Sequence, residues 1–485
     1  MAEDFIKDGR LDVSAVFSAY RHLPAIVAVG QEPAIYTFEE IARRIQWIGR
    51  RFDQLGMAPG SRVAVYLPDS PLHFLIFFLS WIRKDLFVPL NVQVPLEEAI
   101  RESSPDAVIG PDWLGDRKFL EGAPQFISAD SLFQDMRMEK AYCFDFPEVE
   151  LDRECSMVFT SGSTGRPKGV VHTVGNHVYS AAGVISFFGL TPDVRWLVSL
   201  PLYHVGGLSI FVRTFLSGGA AVFPQTRQAV DQALVEKKVN FISVVPTQLI
   251  RFMASPGIPE ALSHVRGILL GGSPVPGWVI DKALDLSLPI IPSYGSTESC
   301  SLATAVAPGA DRAAYKTAGK LLPHRKLATG EDGRIRLGGK TRFAYYLENE
   351  TPVFPFESGW FATSDLGRSD ADGNWRIFGR ADDIFISGGE NINPFEIERH
   401  LMAINGIDAA VVVPVPHPEF GLVPWAFVSS PHAPDPADIV SELRKTLPGF
   451  KVPKKILLMN PADTAAGIKT DRAFLKQKAL QMAGG

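Results

Sequence analysis

Cysteine is scarce in this chain of 485 residues, which has only Cys143, Cys155 and Cys300. Their spacing matches no metal-binding pattern, and an odd number of thiols cannot form a complete disulfide framework. Such sparse cysteines are typical of proteins from a reducing compartment. We therefore expect a cytoplasmic protein whose fold does not depend on disulfide bonds.

The sequence also lacks long apolar runs and a strong net charge. Its most apolar window, residues 72–82, is much shorter than the roughly 20 residues that a bilayer-spanning helix needs. The first ten residues lack the basic head and apolar stretch of a secretory signal. A net charge of -5 and a pI of about 6.1 provide no general attraction for nucleic acids. These absences predict no membrane span and no nucleic-acid partner, and they favour local sites for small anions.

What the sequence does contain is an alternation of helical and strand-like segments. A Thr-x-x-Glu start at Thr37 precedes residues with helical apolar spacing. Short β-branched or apolar runs at residues 62–67, 241–245 and 267–270 are typical of buried strands. This alternation predicts an α/β fold of mainly parallel sheets with helices on both faces.

The texture of the sequence changes in its last third. From Gly330 onward, short segments with frequent turns predict β-hairpins, as in a β-rich subdomain. A smaller α+β pattern begins near Asp382. We therefore divide the chain into a domain of residues 1–380 and a C-terminal domain of residues 381–485.

The most informative stretch is TSGSTGRPKG at residues 160–169, which follows an apolar strand-like run. Its glycine and hydroxyl residues can bring donors close to an anion, and the lysine adds a positive charge. The spacing differs from a P-loop, because Pro167 precedes the lysine and Gly169 follows it. The expected polyphosphate contacts are Thr160, Ser161, Gly162, Ser163, Thr164, Gly165 and Lys168.

This stretch resembles the phosphate loop of the adenylate-forming superfamily, which includes acyl-CoA synthetases, luciferases and peptide-synthetase adenylation domains. The resemblance covers nearly the whole chain, from about residue 25 to residue 475. It implies a large N-terminal domain of mainly parallel sheets with a β-rich subdomain, and a small mobile α+β C-terminal domain. It also implies that a small carboxylic acid is adenylated with ATP and Mg²⁺ and then transferred to coenzyme A.

Further segments resemble the nucleotide site of the family. The run SYGSTE at residues 293–298 resembles the segment that lines adenine, which makes Glu298 the expected Mg²⁺ ligand and Thr297 the expected contact of the α-phosphate. Asp365 resembles the acid that accepts the ribose hydroxyls, and Arg380 resembles its ribose and phosphate partner. An ordinary surface or turn role is the alternative for both acids. The other expected nucleotide contacts are Gly271, Gly272, Ser273, Ser293, Tyr294 and Gly295.

The expected acid pocket contains His204, Arg213, Gly295 and Ser301. The run PLYHVGGL at residues 201–208 resembles the segment whose histidine gates entry of the thiol, and a core histidine is the alternative for His204. Arg213 interrupts an apolar run on an expected buried helix, and a buried cation needs an anionic partner. That partner could be a carboxylate of the substrate or an acidic side chain of the protein.

The C-terminal part contains an expected hinge and an expected catalytic lysine. Asp382 matches the hinge of the family, and Gly388, Gly389 and Glu390 resemble the loop that faces coenzyme A in the second step. Lys469 resembles the catalytic lysine, although GIK stands here where the family commonly has GK. A solvated lysine in the tail is the alternative for Lys469.

Within the superfamily, the sequence is most similar to the o-succinylbenzoate-CoA ligases of menaquinone biosynthesis. The runs TVGNH at residues 173–177 and TESCS at residues 297–301 carry this resemblance, together with GIK. It implies a substrate with two carboxylates. Other aryl- or acyl-CoA ligases and a non-catalytic nucleotide-binding regulator stay as alternatives, and the resemblance leaves a homodimer open.

Overall fold

The computed structural model describes residues 2–29, 35–114, 124–134, 136, 144–160, 167–224, 230–236, 239–430, 434–459 and 472–483. These residues form two large sheets, a β-rich subdomain and a C-terminal α+β unit. None of the helices in these residues combines the length and apolar character that a bilayer crossing requires.

The first large sheet, sheet A, is mostly parallel and becomes antiparallel at one edge. In spatial order its strands are Thr351–Val353, Tyr345–Glu348, Lys168–Thr173, Glu154–Thr160, Leu86–Pro89, Arg62–Val65, Ala107–Gly110 and Gln125–Ser128. The expected phosphate loop joins the adjacent antiparallel strands Glu154–Thr160 and Lys168–Thr173, whose ends pair at Thr160 and Lys168. The strand that was expected before this loop is therefore confirmed.

The second large sheet, sheet B, is parallel in its centre and antiparallel at both edges. In spatial order its strands are Lys320–Leu321, Ser301–Ala305, Ile290–Ser296, Gly267–Leu270, Phe241–Val244, Arg195–Leu197, Ala220–Phe223, Pro24–Ala28 and Ile35–Thr37. Its central strands are short, mostly apolar and largely buried, as expected for a sheet that helices cover on both sides.

Helices of the N-terminal part cover these sheets. They are Val13–Ala19, Phe38–Gln54, Pro71–Arg83, Leu96–Ser103, Val174–Phe188, Val205–Ser217, Val230–Val235, Pro246–Ala254, Ile258–Ser263 and Gly277–Asp285. Three of them, Pro71–Arg83, Val174–Phe188 and Val205–Ser217, are buried on nearly every side and share one core with strands of both sheets. A helix that is apolar all round belongs in such a core, and the few polar side chains on these three helices are therefore informative.

Antiparallel strands build the β-rich subdomain, which confirms the expected hairpins. These strands are Arg325–Thr329, Arg334–Gly339, Phe356–Glu357, Trp360–Ser369 and Trp375–Arg380. A further small sheet near the N-terminus contains Ile6–Lys7, Arg10–Leu11 and Val149–Glu150.

The C-terminal unit has an apolar core of its own. Its strands are Phe385–Ser387, Glu390–Ile392, Ala409–His417, Gly421–Ser429 and Lys455–Leu458, and its helices are Pro394–Leu401, Pro436–Arg444 and Arg472–Ala483. The buried residues of this core all follow the short 3-10 helix Ala381–Asp383, which contains the expected hinge.

Candidate functional site

Lys168 lies at the beginning of a strand and faces an acidic neighbour. Its Nζ is 2.8 Å from Glu348 Oε1 and 5.2 Å from the centroid of the Tyr346 ring. The side chain of Lys168 keeps about a third of its surface exposed, so an anion can reach it. Ser161, Gly162, Ser163, Thr164 and Gly165 lie outside the described residues.

Glu298, the expected metal ligand, is oriented by a tyrosine from sheet A. The Tyr346 hydroxyl donates to Glu298 Oε1 at 2.8 Å. Burial, followed by the charge of Glu298, raises the pKa of Tyr346, which keeps this hydroxyl protonated as a donor. One carboxylate oxygen of Glu298 is thus occupied, and the other can bind a hard cation such as Mg²⁺.

Asp365, the expected ribose acceptor, lies between a tyrosine and an arginine. The Tyr294 hydroxyl donates to Asp365 Oδ2 at 2.7 Å, and Arg380 Nη1 is 3.5 Å from Asp365 Oδ1. Asp365 and Arg380 are also register partners on adjacent strands of the β-rich subdomain. Burial, together with the Asp365 carboxylate, raises the pKa of Tyr294 well above its usual value. The structure thus brings together the three residues that the sequence suggested for adenosine.

The expected adenine walls lie at the carboxyl ends of two neighbouring parallel strands of sheet B. Gly271, Gly272 and Ser273 follow strand Gly267–Leu270, and Ser293 Oγ donates to the carbonyl of Leu270 at 3.1 Å. The carboxyl edge of a parallel sheet is the usual place for a nucleotide in α/β proteins. This position therefore agrees with an adenine-binding role.

Gly295 lies inside a strand and makes a close backbone contact. Strand Ile290–Ser296 includes the first four residues of the segment 293–298 and pairs there with Ser301–Ala305. A β-bulge interrupts this pairing at Gly295, where an added Cβ would lie 2.0 Å from the Ser301 carbonyl oxygen. Only glycine fits there, so the backbone beside the expected acid pocket stays open.

Arg213 is buried on the helix Val205–Ser217 with only 1% of its surface exposed. Its Nη2 donates to Ser301 Oγ at 2.9 Å, and its guanidinium lies 5.1 Å from the Trp196 ring centroid. Within the described part of the chain, Nε and Nη1 have no hydrogen-bond partner and no carboxylate pairs with this cation. Burial, reinforced by the Arg325 cation, lowers the pKa of Arg213 to about 9. Buried donors without partners are costly, so this side chain is prepared for an anion.

Arg325 is a buried arginine whose guanidinium nitrogens all have hydrogen-bond acceptors in the protein, as expected for a structural role. It donates to the carbonyls of Leu302 at 2.8 Å, Pro323 at 2.7 Å and Ser180 at 2.8 Å. Arg213 has comparable burial but uses only one of its nitrogens in a hydrogen bond. The described residues therefore give no support to the alternative that a protein acid neutralises Arg213.

His204 is exposed at the N-terminus of the helix Val205–Ser217. Its ring centroid is 4.6 Å from that of Tyr203. The alternative of a core histidine is therefore wrong. The residue lies on the same helix as Arg213, at the end that faces solvent, which suits a position at the entrance of the acid pocket.

The expected hinge is held by polar contacts. Arg334 Nη2 lies 3.3 Å from Asp382 Oδ1, and the Ser364 hydroxyl donates to the other carboxylate oxygen. Gly388 and Gly389 have φ values of +56° and +88° and form the tight turn before Glu390, where all three residues are exposed. Lys469 lies outside the described residues.

Several site residues were missed by the sequence reasoning. Tyr346 and Glu348 belong to strand Tyr345–Glu348, which reaches the site by pairing with the strand of Lys168. His172 lies on strand Lys168–Thr173, together with Lys168, and its Nε2 donates to the Thr297 carbonyl at 2.7 Å. Burial lowers the pKa of His172 to about 4, so the ring is neutral. A polar residue inside the apolar run GVVHT was the signal that could have revealed His172.

Comparison with known proteins is consistent with this geometry. Residues 15–335 match the AMP-binding enzyme family, and residues 396–465 match the AMP-binding enzyme C-terminal domain. A 2-succinylbenzoate–CoA ligase of Listeria monocytogenes is 30% identical over 462 residues, covering 94% of this chain and 96% of the relative. A feruloyl-CoA synthase of an Amycolatopsis species is 31% identical over 463 residues, covering 90% and 92% of the two chains.

Solved structures have the same fold over nearly the full length. The o-succinylbenzoate CoA synthetase of Bacillus subtilis in complex with the acyl-adenylate intermediate OSB-AMP has a TM-score of 0.81 and 25% identity, covering 92% of this chain and 94% of that chain. A variant of Escherichia coli MenE with bound OSB-AMS has a TM-score of 0.82 and 26% identity, covering 97% and 98%. The expected fold is confirmed, and the chain belongs to the AMP-binding enzyme family.

Proposed function

We propose that this enzyme converts o-succinylbenzoate to o-succinylbenzoyl-CoA in menaquinone biosynthesis, with ATP converted to AMP and pyrophosphate. The observation that carries the choice of acid is the buried Arg213, whose Nε and Nη1 have no partner among the described residues. The relatives named 2-succinylbenzoate–CoA ligase and the structure with OSB-AMP support the same acid.

An acid with two carboxylates suits this pocket. One carboxylate accepts hydrogen bonds from the free donors of Arg213, while the other is activated by ATP. The planar guanidinium can bind a carboxylate through two parallel hydrogen bonds, which gives both energy and orientation. The hydroxyl of Ser301 fixes the third nitrogen of Arg213, so the guanidinium presents its open edge in one direction.

Adenylation depends on holding two anions close together. An oxygen of the activated carboxylate attacks the α-phosphorus, the bond to the bridging oxygen of the β-phosphate breaks, and pyrophosphate leaves. Asp365, oriented by Tyr294, accepts the ribose hydroxyls, and Arg380 adds positive charge beside them. Lys168 compensates the negative charge of the triphosphate of ATP. To do so, its ammonium group must leave the Glu348 carboxylate and bind a phosphate oxygen instead.

Glu298 is the residue that would hold Mg²⁺. The donor chemistry fits, because a carboxylate oriented by Tyr346 offers a hard oxygen beside the expected phosphate site. A bound Mg²⁺ supplies neutralisation of triphosphate charge. The chain itself contributes the fixed direction of that carboxylate.

Thioester formation requires a second arrangement of the same site. The sulfur of coenzyme A attacks the acyl carbonyl, the bond from that carbon to the AMP oxygen breaks, and AMP leaves. We infer that residues 1–380 and 381–485 are two domains that rotate about Asp382, which the separate C-terminal core supports. His204 gates the entry of the thiol, and Gly388, Gly389 and Glu390 face coenzyme A.

Lys469 is proposed to act in the first step only. Its charge would approach the activated carboxylate during adenylation and withdraw when the C-terminal domain rotates. Lys469→Ala should therefore slow adenylation far more than thioester formation from supplied acyl-adenylate. Equal losses in the two steps, measured separately by pyrophosphate release and thioester formation, would reject this role.

Another aryl acid is the second candidate, since a feruloyl-CoA synthase is among the relatives. The proposal also includes a cytoplasmic location, which the buried free thiols of Cys155 and Cys300 support. A homodimer stays an expectation from family likeness, and sedimentation of the purified protein would test it.

A panel of acids tests the proposed function. Pyrophosphate release and CoA thioester formation are measured with o-succinylbenzoate, benzoate, coumarate, ferulate and fatty acids at matched concentrations. We expect the highest kcat/KM with o-succinylbenzoate. A higher value with ferulate or coumarate would mean that the protein is a CoA ligase for a different acid. No turnover with any acid would favour a nucleotide-binding regulator.

A further inference from the structure

The turn between two antiparallel strands of sheet B has an unusual backbone. Cys300 and Ser301 have φ values of +51° and +88°, although neither residue is glycine. This left-handed region is sterically unfavourable for residues with a Cβ, and it persists only where the surroundings hold it. Both residues are buried, so the surroundings of this turn are other side chains.

Polar groups from elsewhere in the chain hold this turn. The Ser180 hydroxyl, on the buried helix Val174–Phe188, donates to the Cys300 carbonyl at 2.6 Å. Arg325 Nε donates to the carbonyl of Leu302, just beyond the turn, at 2.8 Å. These bonds fix the backbone of the turn but leave the side chain of Cys300 to another partner.

That partner is His177, one helical turn before Ser180. The Cys300 Sγ is 3.4 Å from His177 Nδ1, and the Ser156 hydroxyl is 2.7 Å from His177 Nε2. All three side chains are buried. Since a neutral imidazole has one donor and one acceptor nitrogen, both contacts can be satisfied at the same time.

The turn connects the two halves of the candidate site. Thr297 opens the turn, and its carbonyl accepts from His172 Nε2 at 2.7 Å and from the Cys300 backbone N–H at 3.0 Å. Ser301 is where the turn passes into the second strand, and its hydroxyl accepts from Arg213 Nη2 at 2.9 Å. Ser301 directly follows Cys300, whereas Thr297 is three residues away and has His172 as a further anchor, so we expect a small change at Cys300 to move Ser301 more than Thr297.

We propose that His177 and Cys300 are positioning residues for the acid substrate, because their contact keeps Ser301 beside Arg213 and so directs the open edge of that guanidinium. This inference rests on the proposed function of Arg213. His177 belongs to the run TVGNH and Cys300 to the run TESCS, and neither side chain takes part in the proposed reaction steps. The inference therefore gives these two residues a function.

Two substitutions of His177 separate its two contacts. The amide of Asn occupies the position of Nδ1 and can still reach Cys300, whereas the amide of Gln occupies the position of Nε2 and reaches Ser156 instead. We expect His177→Gln to raise the KM for o-succinylbenzoate about tenfold and to change the KM for ATP less than about twofold. His177→Asn should change the KM for the acid by less than about threefold.

His73→Gln is the matched control. His73 is also a buried histidine on a buried helix, and its Nδ1 contacts Ser70 Oγ at 3.3 Å, away from the turn. Urea unfolding measures the loss of stability that each substitution causes. His73→Gln should lower stability but leave both KM values unchanged, which separates general damage from positioning.

The outcomes are distinct. Equal KM values for the acid in the Gln and Asn variants of His177, or parallel changes in the KM values for ATP and acid, would overturn the positioning role. If the unmodified protein does not use o-succinylbenzoate, the proposed acid is wrong. The same comparison with the acid that it does use then decides between positioning and a merely structural role.

Discussion

Two tyrosines orient Asp365 and Glu298, the two carboxylates that we propose for binding ribose and Mg²⁺. Tyr294 donates to Asp365, and Tyr346 donates to Glu298, at 2.7 and 2.8 Å. Each pair joins segments that are about 50 or more positions apart in the chain, so no local sequence motif predicts the contact. At this scale each carboxylate has one oxygen that accepts from a tyrosine, and the other oxygen of Asp365 also pairs with Arg380.

Tyr346→Phe tests this arrangement at a single atom. Without the hydroxyl, Glu298 loses a hydrogen bond to a charged acceptor and can rotate away from the metal position. We expect Mg²⁺-dependent binding of ATP, measured by calorimetry, to weaken by about tenfold, since such a bond contributes about 1.5 kcal/mol.

Tyr345→Phe is the control for that variant. Tyr345 precedes Tyr346 on the same strand and points to the opposite face, because side chains alternate along a strand. It should leave the affinity for ATP unchanged. If the two variants behave alike, or if Tyr346→Phe binds ATP equally well at all Mg²⁺ concentrations, the orienting role of Tyr346 is wrong.

At the scale of elements, sequence signals at helix ends determine where helices begin. Thr37 accepts from the Glu40 backbone at 3.3 Å, and the Glu40 carboxylate accepts from the Thr37 backbone at 2.7 Å. This is the capping box that the Thr-x-x-Glu pattern predicted, and the helix Phe38–Gln54 begins directly after it. The buried face of that helix packs in the core shared by sheets A and B.

Thr37→Ala should lower the free energy of unfolding by about 1 kcal/mol, because the first turn of the helix loses its cap. Urea unfolding measures this change. Glu40→Gln preserves a capping-box pair and should lose less. A larger loss in Glu40→Gln than in Thr37→Ala would show that charge at this position, rather than the cap, determines stability.

Elements with local signals were predictable from the sequence, whereas contacts between distant elements were not. The buried helix of Arg213 follows from its apolar run, and the exposure of His204 follows from its position at the helix end. The continuation of strand Ile290–Ser296 through the adenine segment was missed, because its pairing with Ser301–Ala305 includes a bulge that no turn residue marks. Tyr346 was missed for the same reason, since only sheet pairing brings it to Lys168.

For the whole molecule, buried neutral histidines make stability depend on pH. Burial lowers the pKa of both His73 and His172 to about 4, from about 6.5 in the unfolded chain. Between these values the unfolded chain binds more protons than the folded chain, so stability is lost as the pH falls from about 6.5 to about 4.

The size of this effect is measurable. Each of the two histidines should remove about 2 kcal/mol between pH 7 and pH 5. Urea unfolding at the two pH values measures the summed effect of these and all other titrating groups, among them the buried His177, and His73→Gln should reduce the difference by the share of one histidine. A pH difference that is unchanged in His73→Gln would mean that this ring is not held neutral by burial.

The proposed choice of acid depends on recognition of its second carboxylate by Arg213. Arg213→Lys keeps a cation but loses the planar pair of donors at Nε and Nη1. The most direct test is kcat/KM of this variant with o-succinylbenzoate and with a monocarboxylic acid that the enzyme also accepts. We expect a loss of about a hundredfold with o-succinylbenzoate and less than about threefold with the monocarboxylic acid. Equal losses with the two acids, or none with o-succinylbenzoate, would mean that Arg213 does not bind the second carboxylate.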